Sequence, residues 1–264
     1  MLVASRVEAL LRENQSAGKG SLIAYFPVGY PTLEDSIEAV VAIGEAGADI
    51  IELGVPYSDP VMDGLVIQEA TQQALENGFR LAQLFPALKA ITSRIETPVL
   101  VMSYWNPILQ YGVERFARDL KDAGGAGIIT PDLIPDEASD WLKLSEELDL
   151  DRVFLAAPTS SSERIAKACA ASRGFVYAVS TMGITGARGE VDQNARKVVA
   201  AVRSANAESL TAVGIGISTG DQVRDVNTYA DGAIVGSAIV KAYAESGVKG
   251  LSNLVAELAA ATKN

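Results

Sequence analysis

The chain of 264 residues contains no histidine and only one cysteine. Without imidazole there is no Ser-His-Asp triad, no Cys-His pair and no histidine metal ligand. Proton transfer near neutral pH is left to carboxyls, lysines, tyrosines or the lone Cys169. A single cysteine also excludes an internal disulfide and a thiolate metal cluster, in keeping with a reducing compartment. Positive charge is scarce: 22 Lys and Arg stand against 33 Asp and Glu, a formal charge of −11. The basic stripe of a nucleic-acid-binding surface is therefore missing. No apolar run approaches the roughly 20 residues of a membrane span. The N-terminus carries Arg6 and Glu8 in a helical pattern and lacks the apolar core of a signal peptide. With 48% hydrophobic residues, the chain reads as a soluble, cytoplasmic globular protein with neither nucleic acid nor membrane as partner.

What is present is an alternation. Short β-branched runs at Ser21–Pro27, Ile50–Leu53, Val99–Ser103, Gly127–Thr130, Val153–Ala156, Phe175–Val179, Thr211–Gly214 and Ala233–Val235 are apolar on both faces and bounded by Gly, Pro or Ser. Such runs predict strands buried on both sides, as in a parallel sheet. Amphipathic stretches fill the gaps. Thr32 caps a helix running to about Gly47, and Val66–Asn77, Arg80–Arg94, Val113–Ala123 and Asp136–Leu148 follow. Ser161 or Ser162 caps a helix through Ala171, and Asp192–Asn206, Thr219–Tyr229 and Val248–Ala261 complete the set. A weak repeat marks the helix-to-strand joints, with Ala46-Gly47-Ala48-Asp49-Ile50 similar to Tyr229-Ala230-Asp231-Gly232-Ala233. Eight such units in about 250 residues predict a (β/α)8 TIM barrel, with residues before Ser21 as an extra N-terminal helix across its bottom. No linker divides the chain, so residues 1–264 are read as one domain.

In this architecture chemistry belongs to the loops after the strands. Glu52 lies inside an otherwise apolar strand, where a carboxyl is either paired or has its pKa raised by burial. Asp59 and Asp63 follow on the same loop, either as turn caps or as a second carboxyl in the mouth. Gly214-Ile215-Gly216-Ile217-Ser218 and Gly236-Ser237-Ala238-Ile239-Val240 follow the last two strands, where barrels often bind phosphate on backbone amides; ordinary turn geometry is the alternative. The stretch from Ser180 to Gly189 is either a lid over a phosphorylated substrate or a surface loop. Tyr104 and Trp105 either line a pocket or pack the core, whereas Cys169 and Trp141 read as buried packing. No strand carries an inward lysine, which argues against a Schiff-base aldolase. These residues alone support a barrel handling a small phosphorylated metabolite, an isomerase among the options.

The run Ile51-Glu52-Leu53-Gly54-Val55-Pro56-Tyr57-Ser58-Asp59-Pro60-Val61-Met62-Asp63-Gly64 closely resembles the signature of the tryptophan synthase α subunit family. Phe26-Pro27-Val28-Gly29-Tyr30-Pro31, Met102-Ser103-Tyr104-Trp105-Asn106-Pro107, Pro131-Asp132-Leu133-Ile134-Pro135, Ala157-Pro158-Thr159 and Gly183-Ile184-Thr185-Gly186 resemble further family segments, so the likeness spans nearly the whole chain. It implies retro-aldol cleavage of indole-3-glycerol phosphate to indole and glyceraldehyde 3-phosphate. It implies no cofactor in this chain, and a β subunit carrying pyridoxal phosphate in an αββα complex. Glu52 is then the general acid and base, and Asp63 the acceptor of the indole N–H. Gly186, Gly216, Gly236 and Ser237 hold the phosphate, and Thr185 orients the catalytic region as the lid closes. Tyr25, Ile67, Tyr104 and Tyr177 line the indole pocket. Two other readings stand beside this one, a free-standing lyase and a ligand-binding barrel that chiefly activates a partner. The chain departs from the family at Leu65, where members usually carry proline after Asp-Gly. Proline pre-sets a helix start, so leucine is expected to loosen the Asp63 loop and alter coupling to the partner.

Overall fold

The structure, a computed structural model, describes residues 5–179, 188–214 and 216–263, and only the backbone of 188–192. Nine parallel strands form one sheet: β1 (Leu22–Pro27), β2 (Ile50–Gly54), β3 (Val99–Met102), β4 (Gly127–Ile129), β5 (Asp151–Val153), β6 (Leu155–Ala156), β7 (Val176–Val179), β8 (Thr211–Gly214) and β9 (Gly232–Val235). Hydrogen bonding runs β5-β4-β3-β2-β1-β9-β8-β7-β6. Its two ends are consecutive in the chain, so the sheet closes on itself as a TIM barrel. The expected fifth strand is thus two pieces. Phe154, between them, turns its N–H to the Ser172 hydroxyl at 3.2 Å and its carbonyl to the Tyr177 N–H at 3.0 Å, changing partners from β4 to β7.

The helices are α1 (Arg6–Ser16), α2 (Leu33–Glu45), α3 (Leu65–Glu76), α4 (Leu84–Thr92), α5 (Trp105–Tyr111), α6 (Val113–Asp122), α7 (Ser139–Glu147), α8 (Ser162–Ala171), α9 (Arg188–Ala205), α10 (Gly220–Val226) and α11 (Ser237–Ala260). Thr32 and Ser161 cap α2 and α8 by accepting the N–H three residues on. Pro86 falls in the first turn of α4, where it removes no helical bond. Three differences from the sequence reading stand out. A short α5 follows β3, α9 begins at Arg188, and α11 begins at Ser237 and runs on into the expected Val248–Ala261 helix across a kink at Gly247.

Alternation along the strands divides the core. Leu22, Ala24 and Phe26 of β1 face the helical shell, and Ile23 faces the lumen. Ile23, Ile50, Leu100, Ile129, Val153, Phe175, Ala212 and Ile234 fill the lower lumen, and Val7 and Leu11 of α1 plug it from below. The repeated joints explain how α1 is fixed. Asp49 accepts the Leu22 N–H and a side-chain bond from Asn14. Asp231 accepts the Thr211 N–H and a bond from Gln15. Each joint aspartate therefore starts a strand and holds α1 at once. With the bottom closed, access to the lumen is from the C-terminal ends of the strands.

Candidate active site

Above the lower lumen layer, the next inward positions are polar. Tyr25 on β1 and Glu52 on β2 are register partners. Tyr177 on β7 faces them electrostatically. Two glycines make room for the phenols: a Cβ built at Gly54 would run into the Tyr25 hydroxyl, and one at Gly214 into the Tyr177 hydroxyl. The inward face thus trades two side chains for two tyrosine hydroxyls at catalytic depth, a pairing across strands that the sequence reading missed.

Glu52 is 2% exposed, and its Oε2 has no hydrogen-bond partner among the described residues. Burial, reinforced by the charge of Asp63, lifts its pKa to about 8. The salt-bridge reading of Glu52 does not hold: no lysine or arginine among the described residues pairs with it. Asp63 sits on the loop between β2 and α3, and burial lifts it to about 6 while a hydrogen bond from Tyr104 pulls the other way. At neutral pH the pair is therefore one protonated carboxyl beside one largely ionised one. Asp59 is exposed and accepts from Ser58 at 2.6 Å, outside this pair. Tyr25 and Tyr177 are raised well above the ordinary phenol value by burial and by the facing carboxyls, so both stay neutral.

The Asp63 loop is tied down locally. Asp63 donates its N–H to Pro60 O at 3.1 Å, and Gln68 of α3 donates to Asp63 O at 2.7 Å. Leu65 opens α3 behind Gly64 and is 60% exposed, and the helix starts regularly without proline. Ile67, in the first turn of α3, brings its Cδ1 to 3.4 Å from a Cβ built at Gly236, with Tyr25 Cβ equally near. Ser237 Oγ lies 3.8 Å from a Cβ built at Gly64. The start of α11 therefore abuts the start of α3. Ser237 and Ala238 are the first residues of α11, so their N–H groups have no intrahelical acceptor, the arrangement at which helices can receive an anion. Gly216 adopts φ +78° and is exposed beside this end of the barrel. Tyr25, Glu52, Asp63, Ile67, Tyr104, Tyr177, Gly236 and Ser237 thus share one mouth, whereas Thr185 and Gly186 fall outside the described residues. Cys169 and Trp141 are buried packing. Among the described residues no group of three or more acidic or thiol side chains could hold a metal ion, and no helix is long and apolar enough to cross a membrane.

These features define a TIM-barrel site for acid–base chemistry, with two unlike carboxyls in the mouth next to a helix end suited to an anion. The family profile described as "Tryptophan synthase alpha chain" matches residues 11–264. The chain is 59% identical to the tryptophan synthase alpha chain of Leifsonia xyli subsp. xyli over 255 residues, 97% of each chain. It is 49% identical to that of Mycobacterium intracellulare over 260 residues, 98% of this chain and 95% of the other. A solved structure of Mycobacterium tuberculosis tryptophan synthase superposes with TM-score 0.93 at 48% identity, covering 99% of this chain and all of that one. The chain belongs to the tryptophan synthase alpha chain family.

Proposed function

We propose that the chain cleaves indole-3-glycerol phosphate to indole and glyceraldehyde 3-phosphate, a carbon–carbon lyase reaction, and hands the indole to a β subunit for tryptophan synthesis. The observation that carries this is the neutral Glu52 buried beside the ionised Asp63 in a family-matched barrel. Glu52 donates its proton to indole C3, giving the indolenine. As a carboxylate it then takes the proton from the hydroxyl of the adjoining side-chain carbon. That oxygen becomes the aldehyde carbonyl, the C–C bond breaks, and its electron pair restores the aromatic ring. Both transfers use one carboxyl, and Glu52 ends protonated as it began. Positive charge grows on the ring nitrogen when C3 is protonated, and Asp63 stabilises it by accepting the N–H.

Tyr25, Ile67 and Tyr177 shape the indole pocket. Gly216, Gly236 and Ser237, together with Thr185 and Gly186, receive the phosphate end. Supporting the phosphate assignment is the amide-bearing start of α11, which offers hydrogen bonds and a partial positive charge without any lysine. The chemistry is complete without a cofactor of this chain, and pyridoxal phosphate belongs to the β subunit. A β-subunit partner is supported by exposed apolar side chains in the segments that follow β2, β3 and β4: Val61 (79% exposed), Leu65 at the start of α3, Leu109 (51%) on α5 and Ile134 (39%).

The test is indole release from indole-3-glycerol phosphate by the purified chain, alone and with a β subunit, beside Glu52→Gln. Slow release alone, stimulation by β and loss in the variant are expected. Fast release alone would favour a free-standing lyase. No release under either condition would refute the reaction.

A further inference from the structure

Tyr104 stands in the mouth but does not offer its hydroxyl to the pocket. It is 4% exposed, at the N-cap position of α5, and its ring stacks on Tyr57 with centroids 5.1 Å apart and planes 29° off parallel. The hydroxyl accepts the Met62 N–H at 2.8 Å. That bond pins the loop one residue before Asp63, and Tyr104 favours the charged form of the neighbouring carboxylate against its burial. The ring that carries the hydroxyl is held from behind by Tyr57, whose own hydroxyl accepts from Asn106 at 3.3 Å. The α5 start is fixed in turn by Asp132, which accepts the Trp105 N–H at 2.8 Å.

We infer that Tyr104 is a positioning residue for Asp63, not a wall of the indole pocket: its hydroxyl clamps the loop at the Met62 N–H, one residue before the carboxylate, and so holds that carboxylate ready for the substrate N–H. The inference rests on the lyase reading and deepens it. The groups facing Asp63 are Glu52 from β2, Tyr25 from β1, Tyr177 from β7 and Tyr104 itself, and among the described residues none is a cation. Of these, Tyr104 is the donor that favours the charged carboxylate. Remove its hydroxyl and burial acts on Asp63 unopposed.

The experiment is Tyr104→Phe in the full chain, which keeps the stacked ring and deletes one oxygen. Two readouts are needed. The first is the titration of the Asp63 carboxyl, followed by carbon NMR in parent and variant without substrate. Its midpoint is expected to rise by about one pH unit, the scale of one charge-assisted hydrogen bond. The second is the pH dependence of indole release. Here the acidic limb of kcat/KM is expected to move up in step, with kcat falling about twofold at pH 7 and about tenfold on the acidic limb and KM nearly unchanged. An unmoved titration would overturn the tether whatever the kinetics. A raised KM at constant kcat would place the hydroxyl on the substrate instead. If the parent released no indole, the lyase reading would fail while the titration still decided whether Tyr104 governs Asp63.

Discussion

Glu52→Gln should cost the chain its activity and change its stability in a way that only pH reveals. Burial moves the Glu52 carboxyl from 4.5 to about 8. Between those values the unfolded chain releases this proton and the folded chain keeps it. The folded state therefore binds more protons, and stability falls as pH rises through that window. At 1.36 kcal/mol per pH unit, holding Glu52 neutral costs about 1 kcal/mol at pH 5 and about 3 kcal/mol at pH 7. Glutamine removes the ionisation but puts an amide where Oε2 has no hydrogen-bond partner among the described residues. That adds a penalty of its own, on the order of 1–3 kcal/mol, the same at every pH. The slope is therefore the clean quantity. Denaturant unfolding of parent and variant at pH 5 and pH 7 should show the stability difference moving by about 2 kcal/mol in favour of the variant. Indole release should fall by at least about a hundredfold at both pH values. A stability difference that stays level between the two would refute a neutral buried acid, and with it the source of the proton for indole C3.

Gly214→Ala should push the Tyr177 hydroxyl out of its place, lowering stability by about 1–3 kcal/mol and indole release with it; the double variant with Tyr177→Phe should recover part of the stability, and strictly additive losses in a double-mutant cycle would refute the contact. Leu65→Pro should raise stability by about 0.4–1 kcal/mol, because residue 65 opens α3 where no amide bond is lost, and should speed indole release by the isolated chain. No change in thermal midpoint or in release, with and without β, would show that leucine leaves the loop as firm as proline does. Leu109→Asp, on the exposed side of α5, should weaken β binding at least tenfold by placing a charge among the exposed apolar side chains, with release by the isolated chain unaltered; unchanged binding in a titration would move the partner surface elsewhere.

The strands were legible because a parallel barrel buries both faces, so each run is apolar throughout and short. The break at Phe154 was not, because its cause is a serine hydroxyl 18 residues away. Helix α5 was hidden for the same reason: its first amide is satisfied by Asp132, 27 residues on, and Pro107 makes the segment look like a loop. Within the site, Glu52 could be singled out because a carboxyl in an apolar strand violates the pattern around it. The choice between Asp59 and Asp63 could not be made locally, since both follow the same strand and both suit a turn. What separates them is depth. Asp63 is drawn under Tyr104, and the contact that does so spans 42 residues at Met62, whereas Asp59 stays in water with Ser58.

The two carboxyls differ because the barrel holds them on different kinds of support. Glu52 is on a strand, and the two-residue period turns its side chain into a lumen already filled from below by Ile23, Ile50 and Leu100. Among the described residues no cation is brought to it there, and burial makes the neutral form prevail. Asp63 is on a loop that folds back over the rim, where Tyr104 and Gln68 supply hydrogen bonds to its carboxylate and carbonyl, and the charged form survives. Their mutual repulsion widens the gap: the charge on Asp63 is the second cause of the raised pKa of Glu52. Ionised Asp63 therefore does two things at once. In the proposed reaction it accepts the ring N–H, and its charge keeps the proton on Glu52 that the ring carbon needs. Asp63→Asn should consequently lower the Glu52 midpoint as well as weaken N–H recognition, so that the variant loses activity on the alkaline side first. An alkaline limb that stays in place in Asp63→Asn would show that burial alone holds the Glu52 proton.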